Sequence, residues 1–266
     1  SVSVPRSKVS GVIEAVAVSF GRDANEKLVG LVREVKKRDV FAPVTVIVPS
    51  NYVAVTLRRD LASGDYGATS WVGAGLVATD FLTSYRLAET LSGEHFLAQG
   101  RRPIRDVVIG AVLRQVLAEE PGIFGPIVHH AATERELIRV YRELRDLTDD
   151  ELGSLATASE RSAEVVRVCT AAQRTLKDRW FDEFDLFSSR EVNTDRLSEL
   201  GKLILFIPQQ LANHEIAFLS RLSKISPIDA LIGFTGVSAA DSDSQRSVNL
   251  FGTSLSLPQV KAPSVD

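Results

Sequence analysis

The feature that most limits the fold is the run Gly11 to Phe20, G-V-I-E-A-V-A-V-S-F, in which Glu14 is the one charged residue. A strand with one face in water alternates apolar and polar side chains. A run without that alternation is predicted to be covered on both faces, as in parallel sheets. The run meets Gly21, after which Leu28, Leu31, Val32 and Val35 mark one face of a helix, opposite Arg33, Lys36 and Lys37. Asp23 is expected to cap that helix, with Glu26 three residues on in capping-box spacing.

The pattern repeats. V-T-V-I-V, Val44 to Val48, predicts a second buried strand that ends at Pro49-Ser50-Asn51, and Val53, Leu57 and Leu61 predict a helix after it. Glycine-rich Gly64–Gly75 precedes a short strand expected at Leu76–Ala78 and a helix from Asp80 to Leu91. Alternation of strand and helix predicts a doubly wound α/β domain with a parallel sheet and helices on both faces.

Beyond that point the periodicity is helical: Val107 to Leu117, Glu134 to Leu147, and Glu151 to Lys177. Thr133 with Glu136 reads as a capping box, and Asp149–Asp150 as the cap of the long helix. Strands are predicted again at Leu203 to Ile207 and at Asp229 to Gly236, with a helix from Ala212 to Leu222 between them. The expected organisation is a flexible arm over residues 1–10 and an α/β core over 11–95 and 180–252. A helical insert is expected over 96–179, and the tail of a longer chain over 253–266.

With 266 residues, 44% apolar and 24% charged, the chain can bury a sizeable core. The net charge of −3 argues for modest affinity toward nucleic acid. Cys169 is the single cysteine, so no internal disulfide forms, and the thiol is expected to pack as a small apolar group in a reducing cytoplasm. No run approaches the roughly 18 apolar residues of a membrane span.

The order of elements resembles the first motor domain of superfamily 1 helicases. In detail the chain is similar to the N-terminal helicase-like part of RecB/AddB-type proteins, in the actinobacterial PD-(D/E)XK nuclease family. The stretch V-T-V-I-V-P-S-N-Y-V-A-V-T-L-R-R-D-L-A, Val44–Ala62, resembles motif Ia, and G-L-V-A-T-D-F-L-T-S-Y-R-L-A, Gly75–Ala88, resembles motif Ib. W-F-D-E-F-D-L-F, Trp180–Phe187, is similar to the acidic-aromatic element before the Walker B strand. L-I-L-F-I-P-Q-Q-L-A-N-H-E-I-A-F-L, Leu203–Leu219, stands where Walker B and motif II would be, and I-G-F-T-G, Ile232–Gly236, where motif III begins. The resemblance implies a RecA-like fold of the P-loop NTPase type.

It also implies two groups that this chain lacks. Phosphoryl transfer in this class uses a loop lysine for the phosphates and a Ser or Thr hydroxyl for magnesium. Between Phe20 and Glu26 stand Gly21, Arg22, Asp23, Ala24 and Asn25, with neither. The acidic pair after the Walker B strand is replaced by Pro208-Gln209-Gln210. Gly21, Arg22, Asn25, Gln209 and Gln210 therefore mark degenerate nucleotide-binding positions. The expectation is a domain without catalytic residues, metal or cofactor, which guides single-stranded DNA in a repair exonuclease. The same resemblance implies a downstream nuclease domain in the same chain and a second helicase subunit as partners. Two alternatives stand beside it: an active ATPase with an altered phosphate loop, for which ATP and magnesium would be required, and an interaction scaffold without DNA contact.

Candidate contacts to the strand are Ser50, Asn51, Thr79 and Ser84, at the positions of motifs Ia and Ib, where open α/β sheets place ligands. Helix capping and turn formation explain Ser50 with Asn51, and Thr79 with Asp80, nearly as well. Tyr52, Phe81 and Tyr85 are candidates for base stacking or for core positions. Arg58, Arg59, Arg101, Arg102 and Arg105 are candidates for phosphate neutralisation or for a solvated surface. Asp182, Glu183 and Asp185 do not converge as a metal triad on one helix. His129-His130 reads as a surface loop, and Asp241 with Asp243 as a polar loop.

Overall fold

A computed structural model describes residues 13–63 and 76–251 of the chain. The expected arm over 1–10, the glycine-rich stretch after Ser63 and the tail over 253–266 lie outside the described residues. In chain order the first elements are β1 (Ile13–Ser19), α1 (Arg22–Lys36), β2 (Val44–Ile47), α2 (Asn51–Ser63), β3 (Thr79–Leu82) and α3 (Ser84–Ala98). There follow β4 (Arg102–Pro103), α4 (Asp106–Glu119), α5 (Ala131–Leu144), α6 (Asp149–Ala158), α7 (Glu160–Leu176), β5 (Trp180–Phe181) and α8 (Glu183–Ser188). The chain closes with α9 (Thr194–Leu200), β6 (Lys202–Phe206), α10 (Asn213–Leu222), β7 (Ile228–Phe234) and α11 (Ser242–Phe251).

Two compact units result: residues 1–91 with 190–266, and residues 92–189, the boundary falling inside α3. The second unit thus begins four residues earlier than the expected insert, and it includes the Trp180–Phe187 element that was assigned to the core.

The first unit is α/β. Its sheet has the order β1-β7-β6-β2-β3, with every pair parallel. One face of the sheet and its helices bury Val18, Leu28, Val32, Val46, Leu57, Leu61, Phe81, Ile204 and Leu231 in a single cluster. β2, β6 and β7 are covered almost throughout, as their unbroken apolar runs predict. β1 departs from that expectation. It pairs with β7 alone among the described residues, and Val16 is 47% exposed.

Several local expectations are corrected. α1 begins at Arg22 because Gly21 turns the chain with φ 83°, so Asp23 falls inside the first turn. Its carboxylate folds back to accept the backbone N–H of Ser19 at 2.8 Å, and Glu26 pairs with Arg22. The strand expected at Leu76–Ala78 starts at Thr79, since Ala78 takes a positive φ of 46° and redirects the chain there. The following helix is displaced likewise to Ser84.

The second unit is helical around a short parallel pair, β4 with β5. Its core gathers Ile109, Leu113 and Leu117 of α4, Leu137 and Tyr141 of α5, and Val168, Cys169 and Ala172 of α7. Thr133 does not cap α5, which starts at Ala131 after His130. Thr148, not Asp149 or Asp150, caps α6 in a reciprocal box with Glu151. The expected long helix is two helices, because extended Ser159 breaks it and caps α7 with its hydroxyl.

Candidate functional site

In a parallel sheet all carboxyl ends lie along one edge. β2 leads through α2 outward to β3, whereas its neighbour β6 leads through α10 the other way to β7. Neighbouring strands whose connections diverge form a switch point, where open α/β sheets hold ligands. Ile47 of β2 is paired with Leu205 of β6, so Ser50–Asn51 and Pro208–Gln210 leave adjacent strands at that edge. β1 ends at the same edge with Phe20 and Gly21, and β7 with Thr235 and Gly236.

Apolar side chains from β1 and β6 meet the backbone near the end of β7. A Cβ placed on Gly233 of β7 would stand 2.7 Å from Cε1 and Cζ of Phe20 and 3.1 Å from Cγ2 of Ile207. The Phe20 ring and the Ile207 side chain thus converge on the β7 backbone, between the two loops that a triphosphate and its magnesium would use. Ile207 itself has φ of 42°. Positive φ is an outlier for a β-branched residue and marks stored strain. Gln209 and Gln210 are exposed and carry no charge.

The first turn of α1 opposes an anion. A helix N-terminus attracts negative charge through its free amides. Here the half-buried Asp23 carboxylate lies in that turn, Arg22 is turned to Glu26 at 2.7 Å, and Lys27 is exposed on the helix. Asn25 holds its backbone N–H to the carbonyl of Gly21 in the first helical bond. These residues do not fit a nucleoside triphosphate with magnesium.

Beside β7, Asp241 is buried and accepts three hydrogen bonds, from Thr235 N–H at 2.7 Å, Thr235 Oγ1 at 2.8 Å and Gly236 N–H at 2.8 Å. Burial alone would raise its pKa. The bonds from Thr235, Gly236 and Val237 outweigh burial and hold the carboxyl below its usual range. Asp241 is therefore a buried anion that shapes the loop after β7, and Asp243 opens α11, where a polar loop was expected.

Comparison with protein-family models gives no match, and neither does comparison with curated proteins.

The candidate contacts divide by position. Ser50 and Asn51 stand at the carboxyl edge, where Ser50 Oγ accepts the Val53 N–H at 3.3 Å. Ser84 reaches the same edge as the first, buried residue of α3, and Thr83 caps that helix through the Arg86 N–H. Thr79 does not lie there. It opens β3 at the opposite edge, buried, with its hydroxyl donating to the Val77 carbonyl. Arg58 lies 5.7 Å above the ring of Phe81, and Arg59 is exposed.

The remaining arginine candidates belong to the second unit. Arg101 is spent internally. Its side chain is 15% exposed, donates to the Trp180 carbonyl at 2.7 Å and to Asp185 at 3.0 Å, and lies over the ring of Phe96. Only Arg102 and Arg105 of that group remain exposed. The acidic element nearby is structural. Asp182 caps α8 in a box with Asp185, and both carboxylates bind Arg145 at 2.8 and 2.9 Å. Burial acts to raise the Asp182 carboxyl, but hydrogen bonding and charge from Arg145 lower it overall. Burial and the Asp182 charge together raise Asp185. Among the described residues no group of three or more His, Cys, Asp or Glu could hold a metal ion, and no helix is long and apolar enough to cross a membrane.

Sequence reasoning missed Phe20, Ile207 and Asp241. Phe20 and Ile207 carry no local signal for their convergence, which depends on strand order. A Thr-Gly pair followed by Asp241 was the one legible hint, since short acids accept backbone N–H groups in turns.

Proposed function

We propose that the chain is a RecA-like, helicase-like domain that does not hydrolyse nucleotide, and that guides single-stranded DNA within a RecB/AddB-type repair exonuclease. The observation that carries the reading is the apolar contact of Phe20 and Ile207 with the backbone at Gly233. It lies at the edge at which this class of fold needs a lysine, a hydroxyl and a carboxylate. Pro208-Gln209-Gln210 and the Asp23 carboxylate act in the same sense, because a neutral amide holds magnesium more weakly than a carboxylate does and an acid repels phosphate. What the edge presents is polar and uncharged: the half-buried Ser50 and the exposed Asn51, groups suited to a nucleic-acid backbone. In a longer chain such a domain would hand the strand to a nuclease domain and dock a motor subunit.

Two titrations test this. A fluorescent ATP analogue is expected to show no magnesium-dependent binding in the micromolar range. A labelled single strand is expected to bind at low salt and to weaken as salt rises, through counterion release. Magnesium-dependent binding that disappears in Gly21→Asp would instead establish an active nucleotide site. Lack of any strand binding at low salt would make the domain a scaffold.

A further inference from the structure

Tyr141 of α5 is 4% exposed, and its hydroxyl has no hydrogen-bond partner among the described residues. Burial, reinforced by the Asp182 charge, pushes the phenol up to about 12, so the group is a donor at neutral pH. A buried hydroxyl without a partner is costly, and nearly all such groups in folded chains find one. Tyr141 lines a cavity of about 10 Å³ whose polar wall is made by Arg145, Gln173, Asp182 and Asp185. A space of that size holds about one water molecule.

The carboxylates in the wall have acceptor capacity left. Asp182 Oδ1 accepts from Arg145 Nη2 at 3.1 Å and from the Asp185 N–H at 3.0 Å, whereas Oδ2 accepts from Arg145 Nε alone, at 2.8 Å. Asp185 Oδ2 accepts from Arg101 and from the Asp182 N–H, both at 3.0 Å, whereas Oδ1 accepts from Arg145 alone, at 2.9 Å. Each carboxylate oxygen can accept about two bonds. One acceptor position therefore stays open on Asp182 Oδ2 and one on Asp185 Oδ1, against one unused donor on Tyr141.

Charge narrows the occupant. Arg101 and Arg145 balance Asp182 and Asp185, and Lys177, the other charged group of the wall, is exposed. An added ion of either sign would be buried without compensation. A neutral molecule with two donors and a lone pair matches the open positions.

We infer that the cavity is the binding site of a single ordered water, which accepts from the Tyr141 hydroxyl and donates to Asp182 Oδ2 and Asp185 Oδ1. The water ties α5 to the acidic cap of α8 beside the direct Arg145 pairs. The inference concerns the second unit alone and is independent of strand guiding.

Tyr141→Phe tests it through the sign of its effect in urea denaturation of the full chain. A bridged hydroxyl contributes to stability, so its loss should lower the folded-to-unfolded ratio about two- to tenfold. No change, or a gain in stability, would mean that the hydroxyl is unpaired in solution and would overturn the site. A crystal structure of the parent chain separates a water from a direct bond. An isolated oxygen peak is expected within about 2.6–3.2 Å of Tyr141 Oη and of a carboxylate oxygen. A hydroxyl bonded straight to Asp182 or Asp185, or a cavity without density, would reject the water even if Tyr141→Phe is destabilised.

Discussion

The ring of Phe20 lies against the backbone of Gly233, with two ring carbons 2.7 Å from where a Cβ would stand. The nearest atoms are the far end of a side chain that is 49% exposed, so the ring can move outward at moderate cost. Gly233→Ala is expected to destabilise by about 1–3 kcal/mol, the range for overpacking. Adding Phe20→Ala should remove much of that penalty, a coupling of about 1 kcal/mol in a double-mutant cycle read by urea denaturation. A penalty independent of residue 20 would mean that the β7 backbone, not the ring, resists the methyl group.

The loop after β7 should be acid-sensitive through Asp241. Its carboxyl has a lowered pKa in the folded chain, so its contribution is complete above the unfolded value of about 3.9 and is lost as pH falls through the folded one. Asp241→Ala leaves the N–H groups of Thr235 and Gly236 without their acceptor, at about 1–3 kcal/mol. The difference from the parent chain, followed by thermal melting, should be largest at neutral pH and shrink below about pH 4. A difference that grows on acidification would reverse the assignment.

Arg145 holds two half-buried carboxylates at once. Arg145→Met leaves Asp182 without a cation and Asp185 with Arg101 alone, and is expected to cost about 3 kcal/mol. Removing the charges together, with Asp182→Asn and Asp185→Asn in the same chain, should recover part of the loss. Circular dichroism melts distinguish the outcomes. If the single and triple variants melt alike, the arginine acts by packing over Phe184, which it approaches to 4.4 Å.

Cys169 is buried in the α4–α5–α7 core, and burial pushes its thiol up to about 12. The thiolate is the reactive form, so alkylation by iodoacetamide should be negligible at pH 8 in the native chain and rapid in denaturant. Fast native labelling would show that this core opens readily.

Much of the architecture was legible because it is written in local periodicity. The apolar runs at Val44 and Leu203 became covered parallel strands, and Leu57 and Leu61 marked the buried side of α2. Element ends were less legible. Ala78 and Gly21 redirect the chain through backbone torsions, moving β3 and α3 later and displacing Asp23 from its expected cap. Ser159 could extend a helix or start one by its identity alone, and its extended backbone decided for a start.

The candidate site was legible only as a set of missing groups. That Pro208-Gln209-Gln210 lacks a carboxylate, and that the Gly21 turn lacks a lysine, follows from residue identity without any coordinates. Which groups face one another at the sheet edge depends on strand order, a long-range property that no spacing along the chain encodes. Tertiary pairing placed β7 between β1 and β6 and brought Phe20 and Ile207 together over Gly233. It moved Thr79 to the far edge and drew Arg101 inward to Asp185, so two residues of suitable chemistry were placed away from solvent phosphate. Side-chain chemistry is a local fact; its availability is decided by what the folded chain packs against it.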